Sequence, residues 1–220
     1  MDVIGPANPT LWRMLNVKYI VTDQAVQLPG LTPVLQTKGE FVYRNDNALK
    51  RVYFVKSVET KPALEILNMI KNNSFDPQNI AYVEDENLKV DPPDSTVSVS
   101  ISNYKDETIE YNVKASGNNF LFLGDTYIAG KADYKLFKIP TGWTAFIDGT
   151  KTKIYKTNHG FMGIVVPKGK HEVRFVYAPI SFAISKYLVL ALSGLVMLGL
   201  IITSILEIRK SRLLKTSAIS

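Results

Sequence analysis

YLVLALSGLVMLGLIITSIL, at residues 187–206, is a run of twenty residues without a charged side chain. A helix of that length rises about 30 Å, the thickness of the hydrocarbon core of a bilayer. Twelve of these residues are Leu, Ile or Val, and at roughly −0.3 to −0.6 kcal/mol each they favour insertion by about 5 kcal/mol. The alternative, a buried helix of a soluble protein, normally carries a polar face. The stretch therefore predicts a transmembrane helix within residues 181–207.

The charge on either side of this stretch predicts its orientation. The chain carries a net charge of +6, but residues 1–185 hold 21 Lys and Arg against 19 Asp and Glu, a balance of +2. The remaining excess lies mostly in the basic tail at residues 208–220, which the positive-inside rule assigns to the cytoplasm, with residues 1–185 outside. Residues 1–185 are too close to neutral to present the basic surface that nucleic-acid binding needs. The expected partner is the lipid bilayer, because the predicted transmembrane helix would lie in it.

The opposite end of the chain shows no export signal. Residues 1–6, MDVIGP, have neither a basic region nor an apolar one. Two hypotheses follow: the chain is the C-terminal piece of a longer membrane protein, or it is tail-anchored with its domain in the cytosol. The basic tail argues against the second hypothesis, and the first is favoured.

Residues 1–90 combine helix and strand signals and predict a small α+β sub-domain. Asn8 before Pro9 predicts the N-cap and first turn of a short helix. Thr60 is predicted to cap a second helix, with Pro62 in its first turn. Strands are predicted at residues 17–21, 31–36, 40–44 and 51–55.

Beyond the proline turn at residues 91–94 the pattern changes to strands. Apolar and polar side chains alternate at residues 97–102 and again at 109–114, as in strands with one buried face. FLFL at residues 120–123 is a continuous apolar run that suits a central strand. Short strands at this spacing predict an antiparallel β-sandwich of the jelly-roll or immunoglobulin-like kind over residues 91–180.

Two hairpins are predicted within the sandwich. Asp148-Gly149 is typical of a type I′ turn, here joining a strand at residues 143–147 to a return strand at 153–156. Strands at residues 160–166 and 171–177 are predicted to form the last hairpin around PKGK. The predicted fold class is mainly β with some α, ending on one transmembrane helix.

The sequence shows no pattern of catalytic or metal-binding residues. His159 and His171 have no neighbouring Cys, and no serine lies in a G-x-S-x-G motif. The chain has no Cys and no H-E-x-x-H pattern, so we expect no zinc. The acidic run at residues 84–86 lacks the spacing of a calcium loop, and no glycine-rich loop could hold a phosphate cofactor. We therefore expect no catalytic residue, metal or cofactor in this chain.

Aromatic and basic side chains supply the candidate binding residues. Aromatic rings on an exposed sheet face pack against the apolar faces of sugars, although many of them will fill the sandwich core instead. The candidate glycan or acceptor contacts are Tyr127, Tyr134 and Trp143. The candidate phosphate or headgroup contacts, which ordinary surface charge explains about as well, are Lys168, Lys170 and Arg174.

Several short motifs occur in a fixed order before the final helix. They are LNVKYIV at residues 15–21, VYRN at 42–45, ALKRVYFV at 48–55, FDP at 75–77, GWTAFIDG at 142–149 and VPKGKHEVRFVYAP at 166–179. This ordered set resembles the C-terminal part of the YfhO-like bacterial membrane proteins. One departure is visible: the family usually runs an aromatic-Pro pair directly into Gly-Trp, whereas here residues 128–141 separate Tyr127 from Gly142-Trp143. This spacing indicates an insertion or a rearranged strand edge.

The resemblance implies a large multi-spanning protein of the bacterial cytoplasmic membrane, related to the GT-C glycosyltransferases. Such enzymes take sugars from polyprenyl-phosphate donors outside the membrane, and some members are linked to glycosylation of envelope polymers such as lipoteichoic acid. The implied catalytic carboxylate lies in an early outer loop, which this chain does not include.

The function expected from the resemblance is accessory: residues 1–185 would bind or position an acceptor glycan or polymer beside the upstream transmembrane region of the parent protein. The implied partners are that region, a cell-envelope glycan and a polyprenyl-phosphate sugar. The alternative is a non-catalytic, membrane-anchored β-sandwich that serves in binding or adhesion.

Overall fold

The computed structural model describes residues 8–84, 87–127, 129–134 and 137–217. The elements in chain order are α1 Pro9–Met14, β1 Tyr19–Thr22, β2 Leu31–Gln36, β3 Phe41–Asn45, β4 Val52–Val55, β5 Ser57–Thr60, α2 Ala63–Lys71, β6 Ile80–Val83, β7 Ser98–Lys105, β8 Thr108–Ala115, β9 Asn119–Thr126, β10 Ala129–Tyr134, β11 Phe137–Ile147, β12 Thr150–Thr152, β13 Tyr155–Thr157, β14 Phe161–Val166, β15 Gly169–Tyr177 and α3 Ile180–Ser217.

Strand β9 lies inside a six-stranded inner sheet with the order β4-β9-β14-β13-β6-β5. Residues 119–123 of this strand are all buried. Leu121 and Leu123 belong to one hydrophobic cluster, and Phe120 and Phe122 to another. Successive side chains of a strand point to opposite faces, so β9 contributes to a core on each side of the inner sheet. The prediction of a central strand here is confirmed.

The outer sheet has the order β10-β11-β15-β8-β7, with β12 paired to β11. Its inward-facing Tyr111, Val173 and Phe175 pack in the same cluster as Leu121 and Leu123 of the inner sheet. The predicted fold class, mainly β with a β-sandwich, is therefore confirmed, although the inner sheet also contains β4, β5 and β6 from before residue 91. The other face of the outer sheet is mostly polar, as the period-two pattern predicted.

Helices α1 and α2 cover the second face of the inner sheet. Met14, Ile66 and Ile70 are fully or almost fully buried and pack with Phe120 and Phe122. Asn8 caps α1 as predicted, since its side-chain oxygen accepts a hydrogen bond from the Leu11 N–H at 2.8 Å. The same side chain donates to the Ile70 carbonyl at 2.8 Å and so ties α1 to the end of α2.

The predicted Thr60 cap of α2 is wrong. Thr60 is the last residue of β5, which pairs in parallel with β6, and the helix begins at Ala63 with Pro62 at its N-cap. Strands β5 and β6, which sequence reasoning missed, are thus joined by a helical crossover, the usual connection between parallel strands. Strands β1, β2 and β3 form a separate three-stranded sheet with the order β1-β3-β2.

The two predicted hairpins are corrected in part. Asp148 and Gly149 have φ values of 50° and 78°, as a type I′ turn requires. The return strand is β12 at Thr150–Thr152, however, not residues 153–156. Strands β14 and β15 do not form a hairpin: β14 pairs with β9 and β13, and β15 pairs with β8 and β11. Strand β14 is buried on both faces and belongs to the inner sheet, so the chain crosses between sheets after Val166.

The described chain divides into two compact units. The first comprises the chain up to Ala129 together with Gly142–Tyr177, and the second comprises Gly130–Thr141 and the chain from Ala178. The inner sheet joins β4, β5 and β6 to β9, β13 and β14, so strands from both sides of residues 91–94 pair within one unit.

Helix α3 contains a segment, Ile184–Arg209, that is long and apolar enough to cross a membrane, with a mean hydropathy of 2.5. Its 26 residues rise about 39 Å. The hydroxyl groups of Thr203 and Ser204 donate to the carbonyls of Gly199 and Leu200, so these polar groups are satisfied within the helix. The predicted apolar helix is confirmed and extends beyond residues 187–206 at both ends.

Gly163 of β14 packs closely against Phe120, so a substitution at Gly163 tests the packing of the inner sheet. A Cβ at Gly163 would lie 2.3 Å from Phe120 Cζ and 2.7 Å from Thr157 Oγ1, and both neighbours are fully buried. We expect Gly163→Ala to lower the free energy of unfolding of the full chain in detergent micelles by roughly 1–3 kcal/mol. Chemical denaturation followed by circular dichroism measures this change.

Gly160→Ala is the matched control, because a Cβ at Gly160 meets no atom within 4 Å. Its cost should be well below that of Gly163→Ala. Equal losses in the two variants would contradict this account of the packing.

Candidate functional site

The polar face of the outer sheet carries a cluster of basic side chains at one end. The strand register places Ser98, Lys114 and Lys170 side by side on β7, β8 and β15. Lys114 and Lys170 are direct cross-strand neighbours, an arrangement in which like charges repel. These three residues line a shallow groove of about 390 Å³ together with Ser100, Asn112, Val113 and His171.

Lys168 brings a third ammonium group to this end of the sheet. It lies in the loop before β15 and is exposed. The pKa of Asp94 is lowered chiefly by hydrogen bonds from Thr96 and to a smaller extent by the charges of Lys114 and Lys168. Among the residues that the structure describes, no carboxylate lies at ion-pair distance from Lys114, Lys168 or Lys170. We call these three lysines the basic end.

Arg174 lies apart from the basic end. Its guanidinium is stacked 5.1 Å from the ring centroid of Phe146, and its direct cross-strand neighbour on β8 is Glu110. Four residues of β15 separate it from Lys170, or about 13 Å. Of the three predicted phosphate contacts, the structure therefore brings Lys168 and Lys170 together with Lys114 and leaves Arg174 separate.

Of the predicted glycan contacts, Trp143 lies at the opposite end of β15. Trp143 pairs with Tyr177 across β11 and β15, with ring centroids 5.2 Å apart. Trp143 and Tyr127 are half-buried and pack against the sandwich core. Tyr177 is seven residues from Lys170, or about 23 Å along the strand, so the aromatic and basic candidates do not form one site. The side chain of Tyr134 lies outside the described residues.

A histidine–aspartate pair lies beside the loop that carries Lys168. His171 Nδ1 lies 2.6 Å from Asp148 Oδ2, and its Nε2 lies 3.4 Å from the Lys168 carbonyl oxygen. The Glu172 N–H donates to Asp148 Oδ1 at 2.8 Å. These hydrogen bonds, that of His171 foremost, lower the pKa of Asp148. Asp148 therefore has two roles, as turn residue and as anchor for His171. Sequence reasoning found the turn and missed the pair, because the two residues are 23 positions apart.

A second ionic cluster surrounds the turn between β13 and β14. Glu84 Oε1 lies 2.7 Å from Lys156 Nζ and 3.6 Å from His159 Nδ1. Asn158 and His159 both have positive φ, and the buried Asn158 side chain accepts a hydrogen bond from the Tyr82 N–H at 2.8 Å. These contacts stabilise the turn, so we assign this cluster a structural role. In the described part of the chain, no group of His, Cys, Asp and Glu is arranged to hold a metal ion.

The family model described as bacterial membrane protein YfhO matches residues 126–189. This segment begins at the end of β9, extends into α3 and contains every predicted contact residue. The resemblance predicted from the motifs is confirmed over this segment, which is consistent with a fragment of a YfhO-like protein. No curated protein and no solved structure matches the chain.

The lowered pKa of Asp148 gives a pH-dependent prediction. A carboxyl whose pKa is lower in the folded state stabilises that state above its ordinary value of about 3.8, and this contribution is lost as the pH falls through the folded-state pKa. Asp148→Asn keeps a residue suited to the turn but removes the charge. We expect it to lower Tm by roughly 1–3 °C at pH 7, with the two Tm values converging as the pH falls through the folded-state pKa of Asp148.

Asp106→Asn serves as the control, because Asp106 is an exposed carboxylate in the turn between β7 and β8. Thermal melts of the full chain in micelles between pH 2 and pH 8 make the comparison. A difference between wild type and Asp148→Asn that persists unchanged at pH 2 would contradict the role given to this carboxylate.

Proposed function

We propose that residues 1–185 form an extracytoplasmic domain of a multi-spanning membrane glycosyltransferase that uses a polyprenyl-phosphate sugar donor for cell-envelope glycosylation. In this proposal the domain is accessory and positions the acceptor glycan or polymer near an active site built by the upstream transmembrane region. The observation that carries the proposal is the basic end. Two of its three lysines, Lys168 and Lys170, lie within the segment matched by the family model.

The chemistry of the basic end suits an acceptor that bears phosphate groups. Lysine ammonium groups act as point charges for phosphate and donate up to three hydrogen bonds each. Lys114 and Lys170 repel each other across the strands, and an anion between them would relieve that repulsion. Ser98 and Ser100 line the same groove and add hydroxyl donors.

The aromatic candidates have a secondary place in the proposal. Tyr127 and Trp143 use part of their surface in the sandwich core, so a sugar would contact their exposed edges, together with Tyr134. Arg174 is already stacked on Phe146, and we assign it a supporting electrostatic role.

The orientation of the domain rests on the charge of the tail and is tested by protease accessibility. With residues 1–185 outside and residues 208–220 in the cytoplasm, protease added to intact protoplasts should digest the domain and leave a C-terminal tag on α3 protected. A domain that stays intact until the membrane is permeabilised would overturn this orientation. The tail-anchored alternative predicts that second result.

Charge reversal at the basic end tests the acceptor role. We expect Lys168→Glu with Lys170→Glu, introduced into the full-length gene in a strain that lacks it, to reduce sugar incorporation into envelope polymers about tenfold or more. The physical reason is that each reversal replaces attraction to a phosphate with repulsion. Compositional analysis of the purified polymers measures the effect, and membrane levels of the protein are checked by immunoblot.

Lys38→Glu with Lys151→Glu is the matched control, since both lysines are exposed and neither belongs to the basic end. Lys38 lies between β2 and β3, and Lys151 lies on β12. Equal incorporation in the two double variants would refute a role for the basic end. If deletion of the whole gene leaves polymer glycosylation intact but reduces surface retention of polymer, the non-catalytic binding domain is the better account.

A further inference from the structure

A second groove lies at the sandwich edge formed by β4 and β7, the edge strands of the inner and outer sheets. It has a volume of about 650 Å³ and is lined by Asn16, Lys18, Ala48, Leu49, Lys50, Arg51, Val52, Val99, Ile101 and Tyr104. We call it the edge groove. It shares no residue with the basic end, so binding here can succeed or fail independently of the role proposed above.

The side chains that line the edge groove carry an excess of positive charge. Lys18, Lys50 and Arg51 line it and no carboxylate does. The charge of Arg51 is balanced by its ion pair with Asp125, so Lys18 and Lys50 supply the uncompensated charge. In the part of the chain that the structure describes, neither Lys18 nor Lys50 has a carboxylate at ion-pair distance. The groove therefore attracts an anionic ligand.

The guanidinium of Arg51 is fixed before any ligand binds. Its Nε lies 3.1 Å from both carboxylate oxygens of Asp125, a buried residue behind the groove. This hydrogen bond raises the pKa of Arg51. The guanidinium is also stacked 4.8 Å from the ring centroid of Tyr104. Two contacts from different strands hold it in place, so little conformational entropy remains to be lost on binding.

The segment that carries Lys50 is fixed as well. Asn16 donates a side-chain hydrogen bond to the Leu49 carbonyl, and the Leu49 N–H donates to the Arg13 carbonyl at 3.3 Å. Lys50, next to Leu49, is thus attached to a backbone held by Arg13 of α1 and by Asn16, two residues after the helix ends. This rigidity favours a defined site over a mobile charged loop.

The groove also exposes apolar and aromatic surface. Ile101 is 53% exposed and Tyr104 is 47% exposed, although both are large hydrophobic side chains. A bare phosphate would leave this surface in water, and so would a lipid headgroup without a ring. A pyranose has an apolar face that packs on aromatic and aliphatic side chains, and a phosphate on that sugar would reach the cations.

Addition of a peptide strand to β7 is less favourable. The pairing of β7 with β8 is irregular between Ile101 and Asn103, and such bulges interrupt the regular edge that an added strand needs.

We infer that the edge groove is a binding site for a phosphate-bearing sugar unit of a glycan. Lys18, Lys50 and Arg51 contact the phosphate. Tyr104 and Ile101 contact the sugar ring.

The test measures binding of three soluble probes to the full chain in detergent micelles: glucose 1-phosphate, glucose and inorganic phosphate. The methyl resonances of Ile101 and Ala48 report binding by NMR. We expect glucose 1-phosphate to bind at least about tenfold more tightly than either other probe and to shift the Ile101 methyl resonance saturably. Raising the salt concentration should weaken this binding.

Two variants separate the parts of the site. Lys18→Glu with Lys50→Glu should weaken glucose 1-phosphate binding about tenfold or more, whereas the matched control Lys38→Glu with Lys151→Glu should leave it within about twofold. Ile101→Ser should weaken glucose 1-phosphate binding several-fold and leave phosphate binding unchanged. It tests the apolar surface without altering Arg51 or Tyr104, and thermal melts verify that each variant is folded.

Several results would overturn the inference. If the two charge-reversal pairs weakened glucose 1-phosphate binding equally, the overall charge of the protein, and not the edge groove, would attract the ligand. Equal affinity for phosphate and glucose 1-phosphate would remove the sugar contact. Stronger binding to vesicles of phosphatidylglycerol than to glucose 1-phosphate, with the same dependence on Lys18 and Lys50, would assign the groove to a lipid headgroup instead.

Discussion

The structure depends on the burial of β9 on both of its faces. Leu121 and Leu123 join the inner sheet to the outer sheet, and Phe120 and Phe122 join it to the helices. Each of these side chains is fully buried, and burying one contributes roughly 1.5–3 kcal/mol. A four-residue run thus connects all three layers of the first compact unit, and Gly163 on β14 is needed because the Phe120 ring occupies the space that a side chain would fill.

This arrangement leaves the polar face of the outer sheet open to solvent. With both faces of the inner sheet covered, side chains available for ligands lie on the outer sheet and along the sandwich edges. Strand β15 then separates two kinds of chemistry. Lys170 lies near its beginning, and the Trp143–Tyr177 pair lies at its end, where the chain continues toward α3. A ligand that contacts both ends at once must be extended, which a polymer is and a monosaccharide is not.

The parts of the fold that could be predicted are those determined by residues close together in the sequence. The apolar helix, the FLFL strand and the Asp148-Gly149 turn each depend on neighbouring residues. The hairpin of β14 and β15 was predicted wrongly because a turn motif looks the same whether the chain returns within a sheet or crosses to another. The distinguishing signal was present, since FMGIVV is continuously apolar whereas HEVRFVY alternates. Strands β5 and β6 were missed because distant parallel pairing stabilises them.

The basic end and the edge groove show why the net charge of this chain is a poor guide to where it could bind an anion. Residues 1–185 are nearly neutral, yet the register brings Lys114 beside Lys170 from 56 positions away, and the edge groove joins Lys18 to Lys50 and Arg51. Sequence reasoning could pair Lys168 with Lys170 because they are neighbours, but Lys114 required the strand register. Like charges held in register cost stability in the free protein. An anionic ligand removes that cost when it binds, so repulsion between the lysines contributes to affinity for a phosphate and not for a neutral sugar.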